Sequence, residues 1–225
     1  MTTPDYGILS TCPLFADLNE EDLRLMLGCL GSRTARYPKG AAVFLEGDAA
    51  EYVGIVLEGA VTIVQDDFFG NRNLIGTALP GELFAEAFSC AGLERLPVSV
   101  FAERDTAVLL LDCRRVLQVC SSGCPFHHRL IANLLAVVSR KNLALNRKIR
   151  FVSQRTTREK LMSYLLDQAK QQGSDHFEIP FDRQALADFL AVERSAMSAE
   201  ISRLRKEGVL ESKGSWFRLV EVDRE

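Results

Sequence analysis

No run of residues is long and apolar enough to span a bilayer, and the N-terminus lacks the basic-then-apolar order of a secretory leader. The chain is therefore expected to work in the cytoplasm, without a membrane partner. Catalytic signatures are missing too: there is no Gly-x-Ser-x-Gly elbow, no Gly-Lys-Ser/Thr phosphate loop and no His-Glu-x-x-His. A hydrolase built on the carboxylates of Glu82 and Glu86 is the formal enzymatic rival, but a glycine turn followed by a helix start explains that pair better. Repeats and low-complexity segments are absent. So is an excess of positive charge, since the net charge is −3, which by itself argues against a nucleic-acid binder.

The distribution of charge points the other way. Residues 1–124 carry 9 Lys+Arg against 17 Asp+Glu, residues 125–150 carry 6 against 0, and residues 151–225 carry 12 against 13. An acidic first half, a basic middle and a balanced end are three different surfaces. With 47% hydrophobic and 25% charged residues, a length of 225 suits one large domain or two small ones with a real core. The six cysteines, Cys12, Cys29, Cys90, Cys113, Cys120 and Cys124, are expected to be reduced in a cytosolic chain.

Asn19-Glu20-Glu21-Asp22 is an N-cap with acids in the first turn, and Leu23, Met26, Leu27 and Leu30 follow as one buried face. From Tyr37 the period becomes strand-like, with runs at 42–45, 53–57, 60–64, 74–79, 98–102 and 108–111. Glycine-rich turns such as Lys39-Gly40, Glu58-Gly59, Gly70-Asn71 and Pro80-Gly81 separate them. Short strands at such spacing predict an antiparallel barrel or jelly roll.

Between Phe126 and Val152, the residues Ile131, Leu135, Val138, Asn142, Leu145, Ile149 and Val152 alternate spacings of 4 and 3. That is a heptad seam of about three repeats, with Asn142 as the lone polar core residue that fixes register and favours a dimer. A second stripe, Leu130, Leu134 and Val137, covers the neighbouring face, so one helix is expected to meet a partner helix and its own β-domain at once. Thr156-Thr157-Arg158-Glu159 is a capping box for a further helix carrying Leu161, Tyr164 and Leu165, and Gly173 stops it.

The stretch from Phe181 to Leu219 reads as two short helices and a hairpin. Asp182 caps a helix with Ala185, Leu186, Phe189 and Leu190 on one face. After a break at Ala191-Val192-Glu193, a second helix begins near Arg194 with Met197, Ile201 and Leu204 buried, and Gly208 ends it. The extended runs 209–211 and 216–220, parted by Ser212-Lys213-Gly214-Ser215, form a wing. Outside the buried stripe stand Arg194, Ser195, Ser198, Ala199, Ser202, Arg205 and Lys206, a small polar surface suited to a major groove.

These residues resemble the winged helix-turn-helix of the Crp/Fnr family of bacterial transcription regulators, through Asp182-Arg183-Gln184, Leu186-Ala187, the run from Glu193 to Ser198 and the run from Leu204 to Leu210. The first half is similar to that family's cyclic-nucleotide-binding β-roll. The likeness rests on Pro13-Leu14-Phe15, Lys39-Gly40, Phe44 with Glu46-Gly47-Asp48, Leu57-Glu58-Gly59-Ala60-Val61, and Gly81-Glu82-Leu83-Phe84 with Glu86, in the family's order. The resemblance implies an α+β fold: a jelly-roll-like antiparallel β-roll over residues 1–125, a dimerisation helix over 126–152 and a winged helix-turn-helix over 153–225. It further implies a homodimer on a palindromic operator of double-stranded DNA, with RNA polymerase as a further partner. On this chain the base-reading positions are Ser195, Ser198 and Ala199, with Arg194 and Ser202 on the same helix, and Arg183, Gln184 and Lys213 against phosphates.

In relatives that bind cyclic AMP, the helix turn after the Gly-Glu pair and an Arg-Ser or Arg-Thr pair hold the phosphate. Here that pair falls on Leu96-Pro97, which offers no cation, and proline lacks the N–H. Cyclic AMP is therefore not the expected effector, and an apolar-walled pocket bounded by Gly81, Glu82, Leu83, Phe84, Glu86, Leu96, Pro97 and Leu134 takes its place. Cys120, Cys124 and His127, with Cys113 upstream, are weak candidates for a metal or haem site, since their spacing is not that of a zinc finger. Free cysteines are more often small buried hydrophobes, and His127 and His128 read as solvated residues of a helix start. A haem-based gas or redox sensor is the alternative within the family. A cyclic-nucleotide-binding module acting on a protein partner is the alternative outside it.

Overall fold

Glycine-marked turns cut residues 33–112 into eight short strands: β1 (Arg33–Tyr37), β2 (Ala42–Phe44), β3 (Tyr52–Glu58), β4 (Val61–Asp66), β5 (Arg72–Ala78), β6 (Leu83–Phe84), β7 (Ser99–Ala102) and β8 (Thr106–Asp112). They pair antiparallel into two four-stranded sheets, ordered β1-β8-β3-β6 and β2-β7-β4-β5. The computed structural model describes residues 6–66, 68, 72–117 and 126–220, so the turn at Gly70-Asn71 lies outside the described residues. Two compact units are present, residues 1–140 and 141–225. No helix among the described residues is long and apolar enough to cross a membrane.

In the first unit, the strand period of two sends alternate side chains of β3 and β8 into two different cores. Val56, Val108 and Leu110 face Val43, Phe44, Val61, Ala78 and Val100 of the other sheet. Val53, Ile55, Leu109 and Leu111 face a helical layer made by α1 (Tyr6–Thr11), α2 (Glu20–Cys29) and the first half of α5 (His127–Val152). A strand buried on both faces cannot alternate apolar with polar, and β8 reads Ala-Val-Leu-Leu-Leu accordingly. Asn19 caps α2, its side chain accepting the Asp22 amide at 2.8 Å. Gly59 turns β3 into β4 at φ +86, where an added Cβ would come within 2.5 Å of the Asp105 carbonyl oxygen.

Helix α5 carries two stripes. Leu130, Leu134 and Val137 are buried in the helical layer of this unit. Leu135, Leu145 and Ile149, at 66%, 58% and 52% exposure, are bare in the single chain. Two short helices complete the unit, α3 (Glu86–Cys90) and α4 (Cys113–Leu117).

The second unit opens with the last turn of α5, whose Phe151 meets Tyr164 edge-on at 5.6 Å. Helix α6 (Thr157–Gln172) starts at a complete capping box, the Glu159 amide donating to Thr156 Oγ1 at 3.2 Å and the Thr156 amide to Glu159 Oε2 at 3.0 Å. Strand β9 (His176–Glu178), α7 (Arg183–Leu190), α8 (Arg194–Lys206), β10 (Leu210–Lys213) and β11 (Trp216–Leu219) follow, with sheet order β10-β11-β9. Leu161, Leu165, Leu186, Leu190, Met197, Leu204 and Phe217 form one core among them.

Candidate nucleic-acid interface

Asp182 accepts the Ala185 amide at 2.8 Å and starts α7, and Ala191, in the left-handed region at φ 51, stops it. The Val192 amide returns to the Ala187 carbonyl at 3.0 Å, a tight closure that leaves α8 to begin at Arg194 after Glu193. Met197, Ile201 and Leu204 point into the core, and this orientation fixes what faces outward. Arg194, Ser195, Ser198, Ala199, Ser202, Arg205 and Lys206 are all exposed, on the face that the helical period assigns them. Glu193 makes no side-chain cap, so no side chain occupies the first amides of α8.

Beside this face the wing rises as β10 and β11, joined by Gly214-Ser215, with Lys213 paired opposite Trp216. Ser202, Arg205 and Lys206 of α8 and Leu210, Ser212, Lys213 and Trp216 of the wing line an open groove of about 690 Å³. Arg183 sits behind it, half-buried, its guanidinium 4.8 Å above the Phe217 ring and donating to Ser212 Oγ at 3.3 Å. Burial first, and the nearby Arg205 charge second, lower its pKa, so the site favours an incoming anion. Its Nη1 has no hydrogen-bond partner among the described residues. Gln184 is exposed and donates to Asp188 Oδ1 at 2.8 Å.

One polar residue of α8 escapes a reading of the apolar stripe alone. Glu200 is buried, held by Arg203 at 2.9 Å and by Arg158 of α6 at 3.5 Å, while Arg158 also grips Glu207 at 2.6 Å. Arg203 is a local partner, three residues on in the same helix, whereas Arg158 comes from another helix, 42 positions away. No local pattern carries that second contact.

The expected effector residues divide between two layers. Leu83 and Leu134 lie on the helical side of the first sheet, whereas Phe84 and Leu96 lie between the sheets. Gly81, at φ +85, donates its amide to the Val56 carbonyl at 2.9 Å, and Glu82 Oε2 accepts the Leu79 amide at 2.9 Å. Ala85 takes the left-handed φ of 63 and leads into α3, whose first residue, Glu86, is buried. Leu96 is only 2% exposed, Pro97 offers a carbonyl to Gln65, and Arg95 donates to the Gly47 carbonyl at 2.7 Å. Leu96 and Pro97 therefore offer a core side chain and a pyrrolidine ring, and the adjacent cation, Arg95, is spent on a loop. These residues do not fit a cyclic nucleotide phosphate.

The histidines need a correction. His128 is exposed, as a helix-start residue would be, but His127 is 2% exposed, with Nε2 at 2.9 Å from the Arg115 carbonyl. That contact occupies Nε2 as a donor. Cys120 and Cys124 lie outside the described residues, and no group of three or more His, Cys, Asp or Glu side chains placed to hold a metal ion occurs among the described ones.

Residues 34–122 match the cyclic nucleotide-binding domain family and residues 159–225 the Crp-like helix-turn-helix domain. The chain is 25% identical to the transcriptional activator protein FnrL of Cereibacter sphaeroides, over 79% of this chain and 72% of that protein. It is 26% identical to a probable transcriptional regulator, flp, of Lacticaseibacillus casei, over 97% of this chain and 96% of that one. Among solved structures, the c-di-GMP-responsive regulator CLP of Xanthomonas campestris shares the fold at TM-score 0.58 and 20% identity, over 91% of this chain and 100% of that chain.

Proposed function

From the premise that this chain belongs to the Crp/Fnr family of transcription regulators, we propose that it binds a palindromic operator as a homodimer joined along α5. A small effector or a redox signal other than cyclic AMP sets its DNA affinity, and RNA polymerase is its partner at the promoter. As in its relatives, the activity is regulation and not catalysis. The observation that carries the dimer is the bare seam on α5, where Leu135, Leu145 and Ile149 face solvent on a helix whose other stripe is packed. Asn142, exposed and accepting from Asn146 at 2.5 Å, is the polar position in that seam. Two α8 helices held this way present their exposed serines to half-sites one helical turn apart.

Within each half-site, Ser195 and Ser198 stand where base edges are read, Ala199 can touch only a thymine methyl, and Arg194 supplies the strong contact at the helix start. Arg183, Gln184 and Lys213 serve the phosphate backbone. A randomised duplex library tests the whole reading. Enrichment should yield two inverted half-sites. Ser195→Ala or Ser198→Ala should relax preference at one base pair by about 1–3 kcal/mol. Lys213→Ala should weaken all sequences alike and lower the salt slope by about one. Serine variants that keep the full preference, beside a Lys213→Ala that changes it, would show that another element reads the bases.

A further inference from the structure

Two thiols meet where α3 ends and α4 begins. Cys90 is the last residue of α3, Cys113 is the first of α4, and their sulfurs are 3.5 Å apart. Both segments are tied to the start of β3: the side chain of Ser89, next to Cys90, donates through Oγ to the Tyr52 carbonyl at 2.8 Å, and the Cys113 amide donates to the Glu51 carbonyl at 2.8 Å. These anchors hold the sulfurs face to face. A disulfide at about 2.0 Å then needs side-chain rotation and a closure of about 1.5 Å. Neither the DNA-reading surface nor the turn at Gly81–Glu86 uses either thiol.

We propose that Cys90 and Cys113 are a two-electron redox site, closed to a disulfide by a small hydroperoxide and reopened by a thiol reductant. The Cys113 thiol is lowered chiefly because Cys90 S–H donates to its thiolate. The Cys90 thiol is pushed up by the same hydrogen bond, then by burial and by the charges of Cys113 and Glu86. The pair therefore sheds its first proton more readily than a lone buried thiol and keeps the second. Cys90 is the half-exposed member and Cys113 the buried one, so the oxidant arrives at Cys90.

In the less populated arrangement, with the shared proton on Cys113, the Cys90 thiolate attacks the terminal oxygen of the hydroperoxide. The O–O bond breaks, its electron pair leaves with the departing alkoxide, which takes a proton from water, and Cys90 carries a sulfenic acid. The Cys113 thiol then attacks the Cys90 sulfur, the S–S bond forms, and the expelled hydroxide leaves with the Cys113 proton as water. Two thiols and one hydroperoxide have become a disulfide, an alcohol and water. The thiols are oxidised by two electrons and the peroxide is reduced by two.

The site has an output within its own unit. Helix α3 begins at Glu86, immediately after the turn at Gly81–Phe84, and the Arg115 carbonyl of α4 holds His127 at the start of α5. The bond ties the first to the second, and as a regulatory input it rests on the regulator reading above. As chemistry it does not.

The test uses the reduced full-length protein, one equivalent of hydrogen peroxide, an alkylating quench and peptide mapping by mass spectrometry without reductant. The expected product is a peptide pair joined through Cys90 and Cys113, lighter by two hydrogens and separated again by dithiothreitol. Alkylation of both thiols, or linkage through Cys12, Cys29, Cys120 or Cys124 instead, would overturn the site. Affinity for a duplex selected by the reduced protein should then change by about tenfold or more on oxidation in the wild type and not in Cys90→Ser. A disulfide that forms without changing that affinity overturns the regulatory role. A protein that selects no duplex overturns the regulator reading instead, and the peptide map still decides the redox site.

Discussion

Gly54 and Leu96 are single residues that decide what the β-roll can hold. A Cβ built on Gly54 falls 2.1 Å from Cζ of Phe84, so the tip of the ring occupies room that only glycine leaves. Phe84 in turn meets Phe44 at a tilt of 50°, ring centroids 5.9 Å apart, in the core between the sheets. Gly54→Ala should therefore destabilise the first unit by about 1–3 kcal/mol, as overpacking does. Faster amide exchange over β3 and β8, with α7 and α8 unaffected, is the expected result; unchanged exchange would show that the ring has another place to go. Leu96 acts by exclusion. A cyclic nucleotide phosphate beside it would be desolvated without a cation, so cyclic AMP should bind no better than about millimolar by calorimetry. Micromolar binding would mean that Arg95 leaves Gly47 to meet the phosphate. That Leu96-Pro97 carries no cation was legible in the sequence; the occupation of Arg95 was not, because its partner lies 48 residues away.

At the scale of elements, what the sequence showed best were starts and stops. Asn19, Thr156 and Asp182 cap the helices expected of them, and Gly173 and Gly208 follow the ends of α6 and α8. Caps are local chemistry, complete within four residues, and so they can be read. Strand β1 could not be. Arg33-Thr-Ala-Arg-Tyr37 is polar and pairs at the sheet edge with β8, a partner 69 to 77 positions on that supplies its register. Strand β6 is two residues long, too short for any period to declare itself. Helix α6 offers a direct test of the readable kind. Removing the Thr156 hydroxyl should cost about 1 kcal/mol, and Trp216, the single tryptophan and a residue of the wing, reports unfolding of that unit by its fluorescence in urea. Glu159 adds a pH dependence. The Thr156 backbone amide, and next its hydroxyl, hold the Glu159 carboxyl below its ordinary value of 4.5. The stabilisation is present above that value and is lost as pH falls through the lowered folded one. Glu159→Gln should accordingly flatten the acid limb of the urea midpoint against pH, and an unaltered limb would show that the capping box adds nothing to acid stability.

For the whole molecule, the central fact is that one helix carries two apolar stripes and a single chain covers one of them fully and the other only in part, where Val138 packs against the first unit's core. Leu130, Leu134 and Val137 are packed, while Leu135, Leu145 and Ile149 remain open to water. The heptad spacing was plain in the sequence. Which stripe turns inward was not, since that depends on where β3 and β8 present Ile55 and Leu109 to the helix. In the proposed dimer a second copy of α5 would remove the open stripe from solvent, leaving the exposed basic residues Arg140, Lys141, Arg147 and Lys148 at the rim, where charges stay hydrated. Aspartates placed in the seam should separate the copies without disturbing either unit, because the replaced side chains touch no core. Leu135→Asp with Leu145→Asp is therefore expected to sediment as a folded monomer, to keep the Trp216 fluorescence of the wild type, and to lose preference for a two-half-site duplex over a single half-site. Each α8 still reads its own bases, but the coupling between half-sites is gone. A double variant that sediments as an intact dimer would move the interface off α5.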